Sequence, residues 1–396
     1  MPLPDFSTFA FADIDAAIEA TTARVRRVGT ETTTDPLGRV LAADVTADRD
    51  SPPTDVSAMD GYAVRSTETD APLRVAGQCA AGDPPSMLPP AAAMRIFTGA
   101  PIPTGADAVV KREDATETDG HVTFANDPIT PGRHIRRRGE NAAAGDVIVP
   151  AGRIITPGVA AALSTVGTAE PPVRSPVRVA ILTTGDEVVP PSATPMPHQI
   201  RNSNAVSIAA VLTPRRWIAI NHTDHVPDDP DTLTAAIAAI LPDVDAVLLA
   251  GGVSMGDHDH VPGVTRAAGG EVIFHGLPIR PGKPLLSAVT PDGVAIIGLP
   301  GNPVSATVNT RRFVLPVLAA MTDLSPPPPE IVTVDDPDDK TLPLTWMRLA
   351  RRTAPGRIAV VHGRGSGDIA ALAASDGFVE QPAGNTAADA TRFHAW

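Results

Sequence analysis

Between residues 177 and 325 short apolar runs alternate with amphipathic stretches, and this alternation limits the fold more than any other feature. Val177 to Leu182 reads as a buried strand ending in TTGDE. NSNAVSIAAVL then reads as a helix, with Asn202 or Ser203 placed to cap it. Arg216 to His222 is a second strand and DTLTAAIAAIL a second helix. DAVLLAGGVSMGDHD is a third strand entering a Gly-rich loop, and GVAIIGLPGNP is a later one. Strand and helix alternating at this spacing predict a doubly wound, mostly parallel sheet.

The flanking text is of other kinds. Residues 13–28 predict a helix, with Ile14, Ala17, Ile18, Thr21 and Val25 near helical spacing. From about 50 to 140 short β-like runs (GYAV, PLRVAG, MRIFTGA, DAVVKRE, GHVTFA) are broken by Gly, Pro and Asp. Ala-rich helical text resumes over 141–176. A helical part interrupted and resumed implies a discontinuous domain. SPPPP at 325–329 reads as a stiff linker, and the last 65 or so residues are strand-like. The expectation is an α/β multidomain chain: 1–49 with 141–176 as a discontinuous helical domain, 50–140 as a β-rich insert, 177–325 as the α/β domain, and 326–396 as a small β domain.

Composition excludes several classes. No apolar run is long enough to cross a bilayer, and no basic segment precedes an apolar one at the N-terminus, so a cytoplasmic location is expected. Cys79 is the only cysteine, which rules out an internal disulfide or a Cys-based zinc cage. The formal charge is −13, and only three of the 32 basic residues are lysine: Lys111, Lys283 and Lys340. Such a balance suits a salty cytoplasm or follows from a GC-rich genome. No basic stripe stands out beyond Arg136, Arg137 and Arg138, which counts against nucleic acid.

Ligands gather outside the carboxyl ends of strands in open parallel sheets. Asp186 and Glu187 follow one strand, Asp257 and Asp259 another, and GLPGNPVSA a third. Asn302 is placed there as an N-cap and Pro303 as a first helical residue, with Gly298 and Gly301 allowing close approach. Free N–H groups at such a helix start favour an anion. RPGKP sets Arg280 and Lys283 in one turn. Each piece alone has a plainer reading as a turn, a helix cap or a surface charge. Together they point to a phosphorylated ligand bound with Mg²⁺, which takes one or two carboxylates plus phosphate oxygens and water.

The order of these segments resembles the molybdopterin molybdenumtransferase family, which includes the enzymatic C-terminal domain of gephyrin. SPPTDVSAMDGYAV (51–64), IFTGAPIPTGADAVVKRED (96–114), IRRRGEN (135–141), ILTTGDEV (181–188), GGVSMGDHD (251–259), RPGKP (280–284) and GLPGNPVSA (298–306) carry the resemblance. It implies a discontinuous helical domain, a β-rich insert, an α/β molybdopterin-binding domain and a C-terminal β-barrel, in a homodimer whose clefts are shared between subunits. Molybdate and adenylylated molybdopterin would be the substrates and Mg²⁺ the cofactor, with AMP released. Molybdopterin adenylyltransferase and apo-molybdoenzymes would be further partners.

By the same resemblance, Asp60 is the acid that reaches the partner's reacting centre, and Thr98 lines the same cleft. Glu187, Asp228 and Asp259 are acids of the α/β crevice, with Glu187 and Asp259 nearest Mg²⁺. Asp229 beside Asp228 leaves that assignment less secure. Arg280, Lys283 and Ser305 hold the molybdate oxyanion and pterin phosphate, joined by Gly251, Gly252, Ser254 and Asn302. Arg357 in APGR and Ser366 in GRGSG are the C-terminal domain's share. The chain departs from the family at Gly276, where a lysine is common, at Arg280, also commonly lysine, and at Asn141, where an acid is usual. A molybdopterin adenylyltransferase or a non-catalytic pterin-binding scaffold are the alternatives; MDGYA and the β-rich insert disfavour the first, and the acids at 60, 187 and 259 the second.

Overall fold

The computed structural model describes residues 9–125, 128–254, 259–386 and 391–396. The chain divides into two compact units, one of residues 1–43, 151–160 and 170–396, the other of 44–150 and 161–169.

The larger unit holds the doubly wound sheet. Strand order across it is Ile218–Val226, Val177–Thr184, Ala246–Ala250, Ala295–Leu299, Leu286–Val289 and Glu271–His275. The first four run parallel, Leu286–Val289 runs antiparallel to both its neighbours, and Glu271–His275 therefore points the same way as the first four. Alternate residues of the central strands feed opposite apolar layers: Val179, Ile181, Leu248 and Ile297 on one face, Ala180, Leu182, Val247 and Ile296 on the other. Burial on both faces is why these strands read as unbroken apolar runs. The edge strand Ile218–Val226 is mostly exposed and polar, and it extends four residues past the apolar stretch that marks it in the sequence.

A closed β-barrel follows the α/β part. Thr345–Ala354, Arg357–Val360, Glu330–Asp335, Thr391–Ala395 and Gly377–Gln381 pair in turn, and the last pairs back to the first. Val332, Val334, Ala350, Ile358, Val379 and Phe393 fill it. Ile279–Arg280 adds a short parallel strand against Thr345 and Trp346, so the RPGKP turn is continuous with the barrel sheet.

The smaller unit carries a six-stranded sheet, ordered Ala108–Lys111, Gly61–Val64, Ala92–Ile96, Leu73–Cys79, His121–Phe124 and Ala115–Thr118. Tyr62 and Val64 face one cluster and Ala63 the other, so this sheet also is buried on both sides.

The helical text is shorter than its composition suggests. The first helix, capped by Asp13, spans Ile14–Thr22, although Val25 and Val28 still reach the core. Over 141–176 only Pro157–Thr165 is helical; Val147–Val149 and Pro172–Arg174 are strands, and positive-φ turns fall at Gly145 and Gly152. Alanine fits either environment, and the glycines decide. No helix among the described residues is long and apolar enough to cross a membrane.

A buried ion cluster ties the barrel to the helices. Arg312 has a side chain only 5% exposed. Its Nη2 donates to Asp15 Oδ1 of the first helix (2.6 Å) and to Glu380 Oε1 of the barrel (3.2 Å). Burial alone would raise the Glu380 carboxyl, but His394 and Arg312 outweigh it and pull the pKa from 4.5 down to about 2. A depressed carboxylate stabilises the fold above its unfolded pKa and loses that contribution as pH falls through the folded one. Glu380→Gln should therefore cost about 3 kcal/mol in urea denaturation at pH 7. The gap to wild type should narrow as pH drops from 4.5 toward 2. A gap independent of pH would contradict this account.

Candidate functional site

Loops at the carboxyl ends of the four parallel strands enclose a cleft of about 420 Å³. Glu187, Asp228 and Asp259 all line it, with Gly251, Gly252 and Ser254. Asp228 is half-buried, and its Oδ1 accepts from Thr184 Oγ1 at 3.2 Å. Asp229 points to a different task. It caps the helix Pro230–Ile240, accepting from Thr232 N (2.8 Å) and Oγ1 (2.7 Å), and these bonds lower its pKa. Asp228 is thus the acid of the cleft and Asp229 the acid of the helix. Asp259 Oδ1 accepts from the Ser254 backbone N–H at 2.9 Å. Asp257, the other acid of that loop, lies outside the described residues.

The neighbouring loop begins the helix Pro303–Asn309. Asn302 stands at its N-cap position but makes no side-chain cap bond, and it faces the cleft instead. Of the N–H groups expected to be free for an anion, that of Val304 is taken by the Ser366 carbonyl at 3.1 Å. The cap expected over residues 202–203 is Asn202, whose amide also donates to Thr183 Oγ1 at 2.8 Å. Asn204 donates to the Gly301 carbonyl at 2.7 Å, joining two of the cleft loops.

A second cleft of about 620 Å³ shares Ser254, Gly301 and Asn302 with the first and opens toward the barrel. It brings together Arg280, Lys283, Ser305 and Ser366. The RPGKP turn sits hard against the helix: a Cβ at Gly282 would come 2.0 Å from Asn309 Nδ2, and φ there is +109°, so only glycine fits. Buried Asn309 bonds Ser305 O (2.8 Å) and Pro281 O (3.4 Å), fastening turn to helix. Neither Arg280 nor Lys283 has a carboxylate within ion-pair distance among the described residues. Arg280 lies over the Trp346 ring and Lys283 over Phe9. At Gly276 a side chain would meet the Phe9 ring at 3.2 Å, so a lysine there would need that ring to move.

The barrel supplies residues that the sequence did not single out: Lys340, Trp346 and Arg348 line this cleft. Arg348 is an arginine set inside the apolar run TWMRLA, a signal of a buried, paired charge; it is 4% exposed and bidentate on Asp338 (2.9 and 2.6 Å). Arg357 is placed elsewhere. It pairs with Asp335 of the neighbouring strand and does not line the cleft.

Asp60 and Thr98 lie together in the smaller unit. Asp60 Oδ1 accepts from both the N–H and the Oγ1 of Thr98, each at 2.7 Å, and these bonds lower the exposed carboxyl's pKa. Gly61 opens a strand, and a Cβ there would strike the Val110 carbonyl at 1.9 Å. The Asp-Gly pair is therefore a strand entry rather than a turn. Asn141, where an acid is usual, accepts from Arg136 at 2.5 Å and donates to Ser51 at 3.3 Å.

Among the described residues no group of three or more acids, histidines or cysteines is arranged as a metal cage. Two separate carboxylates in one cleft suit Mg²⁺, which keeps much of its water and is completed by phosphate oxygens.

An α/β sheet with acids at its carboxyl edge and cations in the adjoining cleft places the chain in the doubly wound class, whose ligand crevices lie at that edge. Residues 10–167 match the family model described as the MoeA N-terminal region (domain I and II), and residues 180–320 the one described as a probable molybdopterin binding domain. The chain is 36% identical over 294 residues to the molybdopterin molybdenumtransferase of Synechococcus elongatus, covering 71% of this chain and 72% of that one. It is 30% identical over 371 residues to that of a Synechocystis species, covering 91% and 93%. A crystal structure of a molybdopterin biosynthesis protein from Pyrococcus horikoshii superposes with a TM-score of 0.78 at 28% identity, covering 97% of this chain and 98% of that chain. The chain belongs to the molybdopterin molybdenumtransferase family.

Asp228 and Asp229 separate experimentally. Asp229→Ala should lower the melting temperature modestly and leave ligand binding intact, whereas Asp228→Ala should weaken binding with little change in melting. The reverse pattern would exchange the two roles.

Proposed function

We propose that this chain acts in molybdenum cofactor biosynthesis as a molybdopterin molybdenumtransferase, joining molybdate to the dithiolene of adenylylated molybdopterin and releasing AMP. The observation that carries the proposal is the pair of joined clefts around shared Ser254, Gly301 and Asn302, three acids in one and, in the other, Arg280 and Lys283 with no carboxylate in ion-pair distance among the described residues. Such a division suits a substrate with two anionic parts. Arg280, Lys283 and the Ser305 hydroxyl would hold the oxyanion and the pterin phosphate, and Ser366 would help orient them. Glu187 and Asp259 would hold Mg²⁺, which supplies charge neutralisation for the pyrophosphate. Asp228, tied to Thr184, would order water or a ligand hydroxyl near that group. Asp60, kept ionised by Thr98, is a carboxylate able to position or deprotonate water.

The proposed working form is a cytoplasmic homodimer, in which Asp60 of one copy serves the cleft of the other. Molybdopterin adenylyltransferase as supplier and apo-molybdoenzymes as receivers are the partners this chemistry calls for.

AMP release from adenylylated molybdopterin with Mg²⁺, with and without molybdate, is the direct assay. Molybdate-dependent release that falls by a factor of about 100 or more in Asp60→Asn is expected, the scale of losing a positioned acid or base. Pterin binding without AMP release, indifferent to Asp60→Asn, would instead make the chain a binding protein. The arrangement in trans has its own test. Inactive Asp60→Asn and Glu187→Gln chains, mixed and allowed to exchange subunits, should regain activity, because one of the two clefts then has both acids. No recovery after verified exchange would place Asp60 with its own chain's cleft.

A further inference from the structure

We infer that Lys340 binds an anionic group of the substrates in the barrel-side cleft, on a loop that Arg348 and Gln381 hold in position. The inference rests on the cleft being the site of molybdenum insertion.

Three observations converge. Lysine is scarce in this chain, three among 32 basic residues, and two of the three, Lys283 and Lys340, line the same cleft. An ammonium is a compact charge with three rotatable donors, which a planar guanidinium does not reproduce. The backbone of Lys340 is also anchored from within the barrel. Gln381, 1% exposed, donates its amide to Lys340 O at 2.7 Å and to Asn385 O at 2.6 Å. The Lys340 N–H donates to Asp338 Oδ1 at 3.3 Å, and Asp338 is itself held by Arg348. A merely solvated surface lysine requires no buried glutamine and no buried arginine beneath it.

The charges then fall unevenly. Arg348 and Asp338 neutralise each other in a bidentate pair, so Arg348 presents little net charge to the cleft. Lys340 Nζ is 3.9 Å from Asp338, at the limit of contact, and its side chain stays 61% exposed. The net positive charge of the barrel side is therefore carried by Lys340, facing a cleft whose turn side carries Arg280 and Lys283. That arrangement fits a tetrahedral oxyanion, either a phosphate of the pterin substrate or molybdate.

Full-length Lys340→Ala and Lys340→Arg test it. Half-saturating concentrations are measured in the AMP-release assay separately for molybdate and for adenylylated molybdopterin. Calorimetric titration with molybdate and with inorganic pyrophosphate gives affinities that need no turnover. Lys340→Ala should weaken one ligand by about 10-fold, the loss of one charge-assisted hydrogen bond, with kcat and melting temperature nearly unchanged. Lys340→Arg should recover part of the loss. The arm that moves identifies the source of the oxyanion, and either supports the inference. Constants and calorimetric affinities all within about two-fold of wild type would overturn it, on the scale of a charge-assisted bond. So would a loss accompanied by a lowered melting temperature and no rescue by arginine, which would assign the residue to loop structure. A wild type without molybdate-dependent AMP release fails the functional proposal instead, and the calorimetric comparison still decides the role of Lys340.

Discussion

The buried guanidinium of Arg312 is the contact on which the geometry of the site depends. It lies in the helical run that begins at Pro303, passes through a wide turn at Thr310–Val314 and continues to Met321. A cation this deep is tolerable only with carboxylates beside it, and Asp15 and Glu380 come from the first helix and from the barrel. One side chain thereby fixes three elements. The same helical run carries Asn302, Ser305 and Asn309 at its start, so the pairing that seats the barrel also sets the cleft between barrel and sheet edge. The Val304 N–H to Ser366 carbonyl bond closes the arrangement at the other end.

Within that frame the division of charge follows from where each segment can reach. Carboxylates come from loops at the ends of parallel strands, where short turns leave side chains facing the crevice. Cations come from the RPGKP turn and the barrel, which meet because Ile279–Arg280 is a strand of the barrel sheet. Asn309 under Gly282 leaves that turn no room to drift. Structural acids are separated from cleft acids by their partners: Asp229 is spent on a helix start and Asp338 on Arg348, while Asp228 accepts from Thr184 and lines the cleft.

Much of the α/β part was legible because its central strands are buried on both faces and bounded by glycine-rich loops. Asp186, Glu187, Asp257 and Asp259 stood out for the same reason, as acids following those strands, whereas Asp60 and Asp228 came only from the family resemblance. The segment 141–176 was not, because alanine and valine serve a helix or a short strand equally well, and the outcome turned on Gly145 and Gly152. In the barrel, Arg357 was singled out only by the family resemblance, and it pairs with Asp335 and does not line the cleft. Arg348 carried the better signal, a charge within an apolar strand, but its partner Asp338 lies ten residues away across a loop.

What the sequence determined by itself is the layered α/β architecture and the order of its motifs, because burial periodicity and glycine placement are local properties. What only the tertiary structure decided is which charged residues remain available. Asp228 and Asp229, or Lys340 and another surface lysine, are indistinguishable as text. They differ in what each side chain is already bonded to and in whether it faces a cleft, and that is set by the packing around it.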